Sequence, residues 1–294
     1  MKIAVVGSIN MDMMVTAERI PGKGETIRGE DVCYSPGGKG ANQAVAMQKL
    51  GAEVEMFGCV GNDDHGKQMI ENLQSAGVKT EHIKVLDQVP TGLAVITVGE
   101  QDNTIVIIAG ANEKADCRYV DEISEILKTY DMVVLQHEIP METVHYVIRF
   151  CYENEIPVVL NPAPAAEVPP EIVRQVTYLT PNEHEAKLIF GEEMVLEEVL
   201  KQYPEKLIVT QGSKGVITCL KSGEILTVPA NSVEVVDTTG AGDTLNGAFS
   251  VKMAEGKKIE DALRYANAAA GLSIGKLGAQ SGMPVDSEVK KFLQ

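Results

Sequence analysis

The chain has 294 residues, of which 44% are hydrophobic and 23% charged, a composition typical of a globular protein with a sizeable core. Its formal net charge of −16 argues against broad contact with nucleic acid or an anionic membrane surface, because both require basic patches. The five cysteines are widely spaced and form no CxxC pair, which favours reduced thiols. The N-terminal stretch lacks the pattern of a secretory signal, and no apolar run approaches the ~18 residues of a membrane span. These features predict a cytoplasmic protein.

Short runs of aliphatic and β-branched residues recur along the chain, and helical patterns separate several of them. The predicted strands are KIAVVG, EVEMFGCVG, DMVVLQ, PVVLNP, YLTPN and KLIVTQG. Apolar residues recur at helical spacing in GANQAVAMQKLGA, GKQMIENLQSAGV and METVHYVIRFCYENEI. Strands that are apolar throughout and alternate with helices predict a three-layer α/β/α fold with a mostly parallel central sheet.

Two stretches depart from this alternation. TGLAVITVGEQDNTIVIIAGAN reads as two β runs joined by a polar turn near Gly99 to Asn103, and MVTAERIPGKGETIRGEDVCYSPGG is poor in helical pattern. We expect them to form a small antiparallel sheet that projects from the α/β body. The predicted division is therefore a core of residues 1–12, 35–90 and 109–294 and a β lid of residues 13–34 and 91–108.

Polar residues follow several predicted strands. Asn10 and Asp12 follow the first strand and Glu138 follows DMVVLQ. The carboxyl ends of parallel strands share one edge of the sheet, where ligands bind in folds of this kind. Solvation or helix capping explains any one of these side chains, but their shared placement predicts a site, and together with Asn42 they are suited to sugar hydroxyls.

The segment DTTGAGDTLNG opens a predicted helix. Gly240, Ala241 and Gly242 allow a tight turn whose amide hydrogens, with the helix dipole, attract phosphate. Asp243 in such a place is either a helix cap or a base that activates a hydroxyl for phosphoryl transfer, and the segment alone favours neither.

The segment SPGGKGANQAVA is a second glycine-rich helix start. It is no Walker A loop, because Gly40 follows Lys39 where Ser or Thr is required. Its glycines suit close approach to a small polyhydroxylated ligand, and an ordinary turn with an Asn42 cap is the alternative.

The segment TPNEHEA places Asn182 and Glu185 on one helical face, where they would hold hydrated Mg²⁺ or form a solvated helix start. Two other patterns are dismissed. HEIPMETVH cannot chelate zinc from one helix face, because its histidines are eight residues apart with Pro140 between them. VVGSINMD lacks the G-x-G-x-x-G of a dinucleotide loop.

Taken together, these segments resemble the PfkB (ribokinase) family of sugar kinases. PGGKGANQAVA and DTTGAGDTLNGAF carry the resemblance, and VVGSINMD, LQHEIP, NPAPA, TPNEHEA, VTQGSKG and GAQSGMP follow in family order along the whole chain. The resemblance implies ATP-dependent phosphorylation of D-ribose at O5 with Mg²⁺, activation by a monovalent cation such as K⁺, and a homodimer formed through the lid. Deoxyribose, fructose or a nucleoside is the alternative substrate, and a catalytically silent sugar- or nucleotide-binding regulator is the alternative class.

The resemblance also implies roles for individual residues. Asp243 would be the base, and the amides of Gly240, Ala241 and Gly242 would stabilise the transferred phosphoryl group. The sugar would be held by Asn10, Met11, Asp12, Gly38, Lys39, Gly40, Ala41, Asn42, Glu138 and Asp243. ATP would contact Asn182, Thr210, Gln211, Gly212, Ser213, Lys214, Gly215, Gly242, Asp243 and Asn267. Asn182 and Glu185 would hold Mg²⁺ through water, and the monovalent cation would lie among Asp237, Thr239, Ser273, Lys276, Gly278 and Gly282, largely through carbonyls. Leu245 departs from the family pattern, which has Phe there, and we expect altered packing rather than lost activity.

Overall fold

The computed structural model describes residues 1–100 and 102–294. The strands are β1 (Lys2–Val6), β2 (Asn10–Ala17), β3 (Gly29–Gly37), β4 (Glu53–Gly61), β5 (Ile83–Leu86), β6 (Gly92–Gly99), β7 (Asp102–Ile108), β8 (Met132–Gln136), β9 (Val158–Asn161), β10 (Tyr178–Leu179), β11 (Ile208–Thr210), β12 (Val216–Cys219) and β13 (Ile225–Val228). The α-helices are α1 (Lys39–Lys49), α2 (Asp64–Ser75), α3 (Cys117–Leu127), α4 (Met141–Glu153), α5 (Pro170–Gln175), α6 (Glu183–Phe190), α7 (Leu196–Gln202), α8 (Ala241–Ala254), α9 (Ile259–Ser273), α10 (Ala279–Gly282) and α11 (Asp286–Phe292).

The central sheet confirms the predicted fold class. It has six parallel strands in the order β10-β9-β8-β1-β4-β5. Because side chains alternate across a strand, Ile3 and Val5 of β1 enter one hydrophobic core while Ala4 and Val6 enter the other. Helices cover both faces, and so the central strands are mainly apolar, with Glu55 of β4 and Gln136 of β8 as buried polar exceptions. Among the residues that the structure describes, no helix has the length and apolar character needed to cross a bilayer.

The predicted strand KLIVTQG lies at the edge of this sheet. It forms β11, which pairs antiparallel with β12 in a three-stranded sheet with β13. Parallel bridges from Leu179 to Leu207 and from Asn182 to Thr210 join it to the end of β10. The segment around Thr210 is thereby brought beside the start of α6.

A separate four-stranded sheet has the order β3-β2-β6-β7. β6 pairs antiparallel with β7, as the hairpin pattern predicts, and β2 pairs antiparallel with β3. β2 and β6 pair in parallel, so the sheet is mixed and the expectation of a wholly antiparallel sheet is wrong at that pair, because the strands of two separate hairpins meet there side by side. The turn expected near Gly99 to Asn103 contains Gln101, which lies outside the described residues. β2 begins at Asn10 and β3 ends at Gly37, so this sheet reaches the sugar-binding residues that we predicted. The division of the chain into a core and a lid stays a prediction.

Candidate active site

Asp243 lies in the first turn of α8. Gly240 precedes it as the N-cap residue in the left-handed region, with φ of 76°, and a Cβ there would lie 2.9 Å from Cβ of Ala279. The N-cap position is held by a glycine and Asp243 is the third residue of the helix, so Asp243 is not the N-cap residue. Its buried carboxylate instead accepts hydrogen bonds from α1, at Oδ2 from Asn42 Nδ2 and at Oδ1 from Gln43 Nε2, both 3.0 Å long.

Charged side chains surround this carboxylate. Burial raises the pKa of Asp243 above its ordinary value, and the Lys39 ammonium and the two amide donors oppose that rise. Burial disfavours the charged form of Lys39, but nearby carboxylates, above all those of Asp243 and Glu138, hold its pKa above the ordinary value. Burial, together with the charges of Glu138 and Asp243, raises the pKa of Asp12 to about 7. The site therefore concentrates three carboxylates around one cation.

Backbone and hydroxyl groups hold Glu138. Its Oε2 accepts from Ser8 Oγ at 2.5 Å and from the backbone nitrogen of Lys39 at 2.9 Å, while Ser8 Oγ accepts from the backbone nitrogen of Gly40 at 3.2 Å. These hydrogen bonds join the connection after β1, the start of α1 and the connection after β8. This arrangement brings the predicted residue Glu138 beside the helix that carries Lys39.

Asn10 is held by a residue that we did not predict. Asn112 Nδ2 donates to Asn10 Oδ1 at 2.7 Å, and Asn112 Oδ1 accepts from the backbone nitrogen of Ile9 at 2.9 Å. A Cβ on Gly92 would overlap both amides. The Asn10 oxygen is thereby used within the protein, which leaves its Nδ2 group for a ligand.

The glycines near the start of α1 approach protein atoms closely. A Cβ on Gly37 would overlap the Asp12 carboxylate, and one on Gly38, whose φ is 85°, would lie 2.7 Å from the backbone nitrogen of Asn10. A Cβ on Gly40 would lie 2.6 Å from the backbone nitrogen of Ser8. These glycines allow α1 to pack against the connection from β1 to β2, so their spacing is required by the fold whether or not a ligand also approaches them.

The remaining residues of the predicted sugar set lie at the same place in the fold. Met11 and Ala41 belong to the hydrophobic core, so a contact from either to a ligand would come from its backbone. Asn42 uses both ends of its amide within the protein, because Oδ1 accepts from Gln280 Nε2 at 2.9 Å.

A cleft of about 630 Å³ lies beside the start of α8. Its lining includes six of the predicted nucleotide residues, Thr210, Gly212, Ser213, Gly215, Gly242 and Asn267, and also Ala241, whose amide was predicted to face the transferred phosphoryl group. The other lining residues were not predicted as site residues: Ala230, Asn231, Ser232, Val233, Val235, Thr238, Leu245, Ala270, Gly271 and Ile274. A Cβ on Gly242 would meet no atom within 4 Å, so its backbone borders open space. Volume and mixed lining suit a nucleotide-sized ligand.

Other predicted nucleotide residues lie outside this lining. Gln211 Nε2 donates to Glu183 Oε1 at 3.1 Å, and Lys214 Nζ lies 3.7 Å from the same oxygen. Asn267 lines the cleft, but its Nδ2 donates to the carbonyl oxygens of Val228 and Pro229, so the amide also fastens the end of β13. Leu245 both lines the cleft and belongs to the hydrophobic core, and its effect on packing and activity stays a prediction.

The Asn182 and Glu185 pair forms a capping box at the start of α6. Asn182 Oδ1 accepts from the backbone nitrogen of Glu185, and Glu185 Oε2 accepts from the backbone nitrogen of Asn182, both at 2.8 Å. Glu185 is buried, which raises its pKa, so the alternative of a solvated helix start does not hold for this side chain. The second carboxylate oxygen is not used by the capping box and is the hard donor that a hydrated Mg²⁺ ion requires.

The loops predicted to hold a monovalent cation lie side by side. Asp237 Oδ1 accepts from the backbone nitrogen of Thr239 at 2.9 Å, and Oδ2 accepts from that of Gly278 at 2.8 Å. A Cβ on Gly282 would overlap the carbonyl oxygen of Ser273, which brings that carbonyl into this region. The Lys276 side chain is exposed and its Nζ lies 3.9 Å from Oε1 of Glu288, so this ammonium group pairs with α11.

Comparison with known proteins shows which family the chain resembles over its length. The family model described as pfkB family carbohydrate kinase matches residues 1–286. The chain is similar to the ribokinase of Bacillus subtilis strain 168, 47% identical over 99% of each chain, and to that of Lactococcus lactis subsp. lactis, 48% identical over 100% of this chain and 97% of the relative. The structure resembles that of an Arabidopsis thaliana ribokinase complexed with ribose and ATP, with a TM-score of 0.91, 35% identity, and coverage of 99% of this chain and 98% of the other.

Proposed function

The chain belongs to the pfkB family of carbohydrate kinases, and we propose that it transfers the γ-phosphoryl group of ATP to O5 of D-ribose, giving D-ribose 5-phosphate and ADP. One observation carries the proposal. The buried Asp243 carboxylate is close enough to Asp12 and Glu138 for their charges to act on one another, and it directly follows Gly242, which lines the cleft. A base in that position reaches a hydroxyl on one side while a nucleotide phosphate occupies the other.

The mechanism follows from the placement of these groups. Asp243 accepts the O5 proton as the bond from O5 to the γ-phosphorus forms and the bond from that phosphorus to the ADP oxygen breaks. Burial keeps the pKa of Asp243 above that of an exposed carboxyl, which makes it a stronger base. The amides of Gly240, Ala241 and Gly242, at the N-terminus of α8, stabilise charge on the transferred group.

Sugar recognition is assigned to the polar groups around Asp243. Asp12 and Glu138 accept hydrogen bonds from ribose hydroxyls, and Asn10 Nδ2 donates one. Lys39 offsets the negative charge of these carboxylates and of the incoming phosphates. A sugar that lacks one hydroxyl would leave a buried polar group unpaired, which is how such a site discriminates between ribose and deoxyribose.

The test is ADP release with ATP and Mg²⁺ across ribose, 2-deoxyribose, fructose and adenosine. Ribose should give the highest kcat/KM. Asp243→Asn should fold normally and lose about 10²- to 10⁴-fold in kcat, the usual contribution of a general base. Equal turnover with any of the other three acceptors, or near-normal turnover of Asp243→Asn, would contradict the assignment.

Two ions complete the proposal. Asn182 and Glu185 would hold Mg²⁺ through water, where it neutralises charge on the ATP phosphates. Carbonyls of the loops around Asp237, Ser273 and Gly278 would hold K⁺, which adds positive charge near the start of α8. Replacing K⁺ by tetramethylammonium should lower turnover, and an unchanged rate would remove K⁺ from the account.

The lid sheet supports a homodimer. β7 is exposed along its whole length, and Ile105, Val106, Ile107 and Ile108 are between 46% and 63% exposed. An exposed apolar edge strand invites pairing with a second copy. Sedimentation should give the mass of a dimer for the parent chain and of a monomer for Val106→Lys, and a monomeric parent at micromolar concentration would contradict the proposal.

We place the protein in the cytoplasm. All five cysteines are free, and three of them are buried, as expected in a reducing compartment. Thiol counting on the denatured protein, as isolated from its host, should give five per chain; a lower count would contradict this location.

A further inference from the structure

Gln43 is a fully buried amide that contacts the Asp243 carboxylate directly. It lies one residue after Asn42 on α1, and these neighbours hold opposite oxygens of the same carboxylate. None of the roles assigned above includes Gln43. Its side chain contacts Oδ1 of Asp243, while Asn42 contacts Oδ2.

Three hydrogen bonds fix the orientation of this amide. Gln43 Nε2 donates to Asp243 Oδ1 at 3.0 Å and to Asn161 Oδ1 at 3.1 Å, and Gln43 Oε1 accepts from Gln136 Nε2 at 2.7 Å. Gln136 is also fully buried, at the end of β8. Because Gln43 and Gln136 are both fully buried, rotating the Gln43 amide would leave several buried polar groups without a hydrogen-bond partner, which is unfavourable.

Close packing of two helices brings Gln43 to this position. A Cβ on Gly247 of α8 would lie 2.8 Å from Cβ of Ala46, so the helices touch through a glycine and an alanine. Gln43 lies one helical turn before Ala46, and Asp243 one turn before Gly247. The contact between Gln43 and Asp243 therefore follows from the packing of α1 on α8.

We infer that Gln43 is a positioning residue for phosphoryl transfer: its amide holds the Asp243 carboxylate toward the hydroxyl of the bound sugar, and Gln136 locks the amide that does so. This inference rests on the proposed function, because it assumes that Asp243 is the base. Gln43 acts through Asp243 and does not touch the sugar or ATP. Its removal should slow the chemical step and leave sugar binding nearly unchanged.

The charge state of Asp243 provides a second readout. The hydrogen bond from Gln43 lowers the pKa of Asp243, against the larger effect of burial. Without that bond the pKa rises further, so the pH at which kcat falls on the acid side moves upward. Lys39, Glu138 and Asp12 also face this carboxylate and remain in place in each variant, so the displacement is due to the lost amide.

The experiment measures kcat, the ribose KM and the pH profile of kcat for the parent chain, Gln43→Met and Gln136→Met. Saturating ribose is used for the profile, so that Asp12 is already engaged by the sugar. We expect kcat of Gln43→Met to fall by about 10- to 100-fold, with the ribose KM within about threefold and the acid limb at higher pH. Gln136→Met removes the hydrogen bond to Gln43 Oε1 and leaves the bond from Gln43 to Asp243 in place, so it should change in the same direction by about 3- to 10-fold.

Gln48→Met is the matched control. It removes a glutamine from the same helix and breaks the hydrogen bond from the backbone nitrogen of Val54 to Gln48 Oε1. It should leave kcat and the acid limb at parent values. The inference is overturned if Gln43→Met keeps kcat within about threefold of the parent, matches Gln48→Met, or leaves the acid limb unmoved.

Two further arms keep the outcome decisive. If Gln43→Met does not fold, as judged by thermal unfolding, Gln136→Met decides: a parent-like kcat and acid limb overturn the inference. If the parent releases no ADP in response to ribose, or Asp243→Asn stays active, the proposed function itself has failed. An active parent, an inactive Asp243→Asn and a normal Gln43→Met contradict the inference alone.

Discussion

The carboxylate of Asp12 should destabilise the sugar-free protein above neutral pH. Burial raises its pKa from 3.8 to about 7, and the negative charges of Glu138 and Asp243 add to the shift, against Lys39. A carboxyl with a raised pKa in the folded state keeps a proton that the unfolded chain has lost. Stability therefore falls as the pH rises from about 4 to about 7 and changes no further above that.

The size of this effect follows from the pKa change. At about 1.4 kcal/mol per pH unit, the raised pKa of Asp12 lowers the free energy of unfolding, relative to its value below pH 4, by about 4 kcal/mol at pH 8 and by about 2 kcal/mol at pH 5.5. Asp12→Asn removes the ionisation and keeps the shape. It should therefore be more stable than the parent by about these amounts at the two pH values.

The assay is urea unfolding of the sugar-free protein at pH 5.5 and pH 8, for the parent and for Asp12→Asn. Asp31→Asn, an exposed carboxylate of the same four-stranded sheet, is the control and should change stability little at either pH. Asp12→Asn should also raise the ribose KM, because the hydroxyls lose a charged acceptor. An equal gain at both pH values, or no gain at pH 8, would refute the argument from burial and like charge.

Further predictions concern the glycines and the amide behind the sugar site. Gly242→Ala should keep the thermal stability of the parent, because a Cβ there meets no atom within 4 Å. It should lower turnover, because the added methyl group enters the cleft proposed to bind the nucleotide. An unchanged kcat/KM for ATP would contradict this prediction. Gly240→Ala should instead lose about 1–2 kcal/mol of stability, measured by thermal unfolding, because its φ is positive and Ala279 is close. Asn112→Ala should raise the ribose KM more than it lowers kcat, since it frees the Asn10 side chain; an unaltered KM would show that Asn10 needs no such support.

Strand periodicity and the sheet-edge rule predicted much of the architecture. β1, β4, β8 and β9 lie where buried aliphatic runs occur, because strands covered on both faces must be apolar throughout. The same rule correctly brings Asn10, Asp12 and Glu138 into one region, since they follow neighbouring parallel strands. The parallel pairing of β2 with β6 could not be predicted, because it depends on how two hairpins distant in sequence meet.

The sequence did not predict the residues whose proposed role is to hold another side chain in place. Asn112 ends the stretch that predicted a hairpin, four residues after β7, and nothing in that pattern marks it as a site residue, because its role depends on its contact with Asn10 of β2. Gln43 lies within a recognised segment, but helical spacing alone does not show which side chain faces Asp243. The spacing of Asn182 and Glu185, in contrast, is the sequence signature of a capping box. Only the structure shows that the Glu185 side chain is buried.

The nucleotide cleft shows a similar limit. Glycines and a polar turn indicated one wall through Gly212 and Gly215, whereas Val235 and Ile274 form apolar lining without any motif. Such residues are ordinary hydrophobic positions in the sequence. Their contact with a ligand is decided by how α8, α9 and the preceding loop pack together.

The most direct test of the account is a crystal structure with ribose and a non-hydrolysable ATP analogue. The Asp243 carboxylate should lie within about 3.2 Å of ribose O5, still held by Asn42 and Gln43, with the γ-phosphate facing the amides at the start of α8. A carboxylate turned away from O5, or a sugar bound with another hydroxyl facing the phosphate, would contradict the central claim.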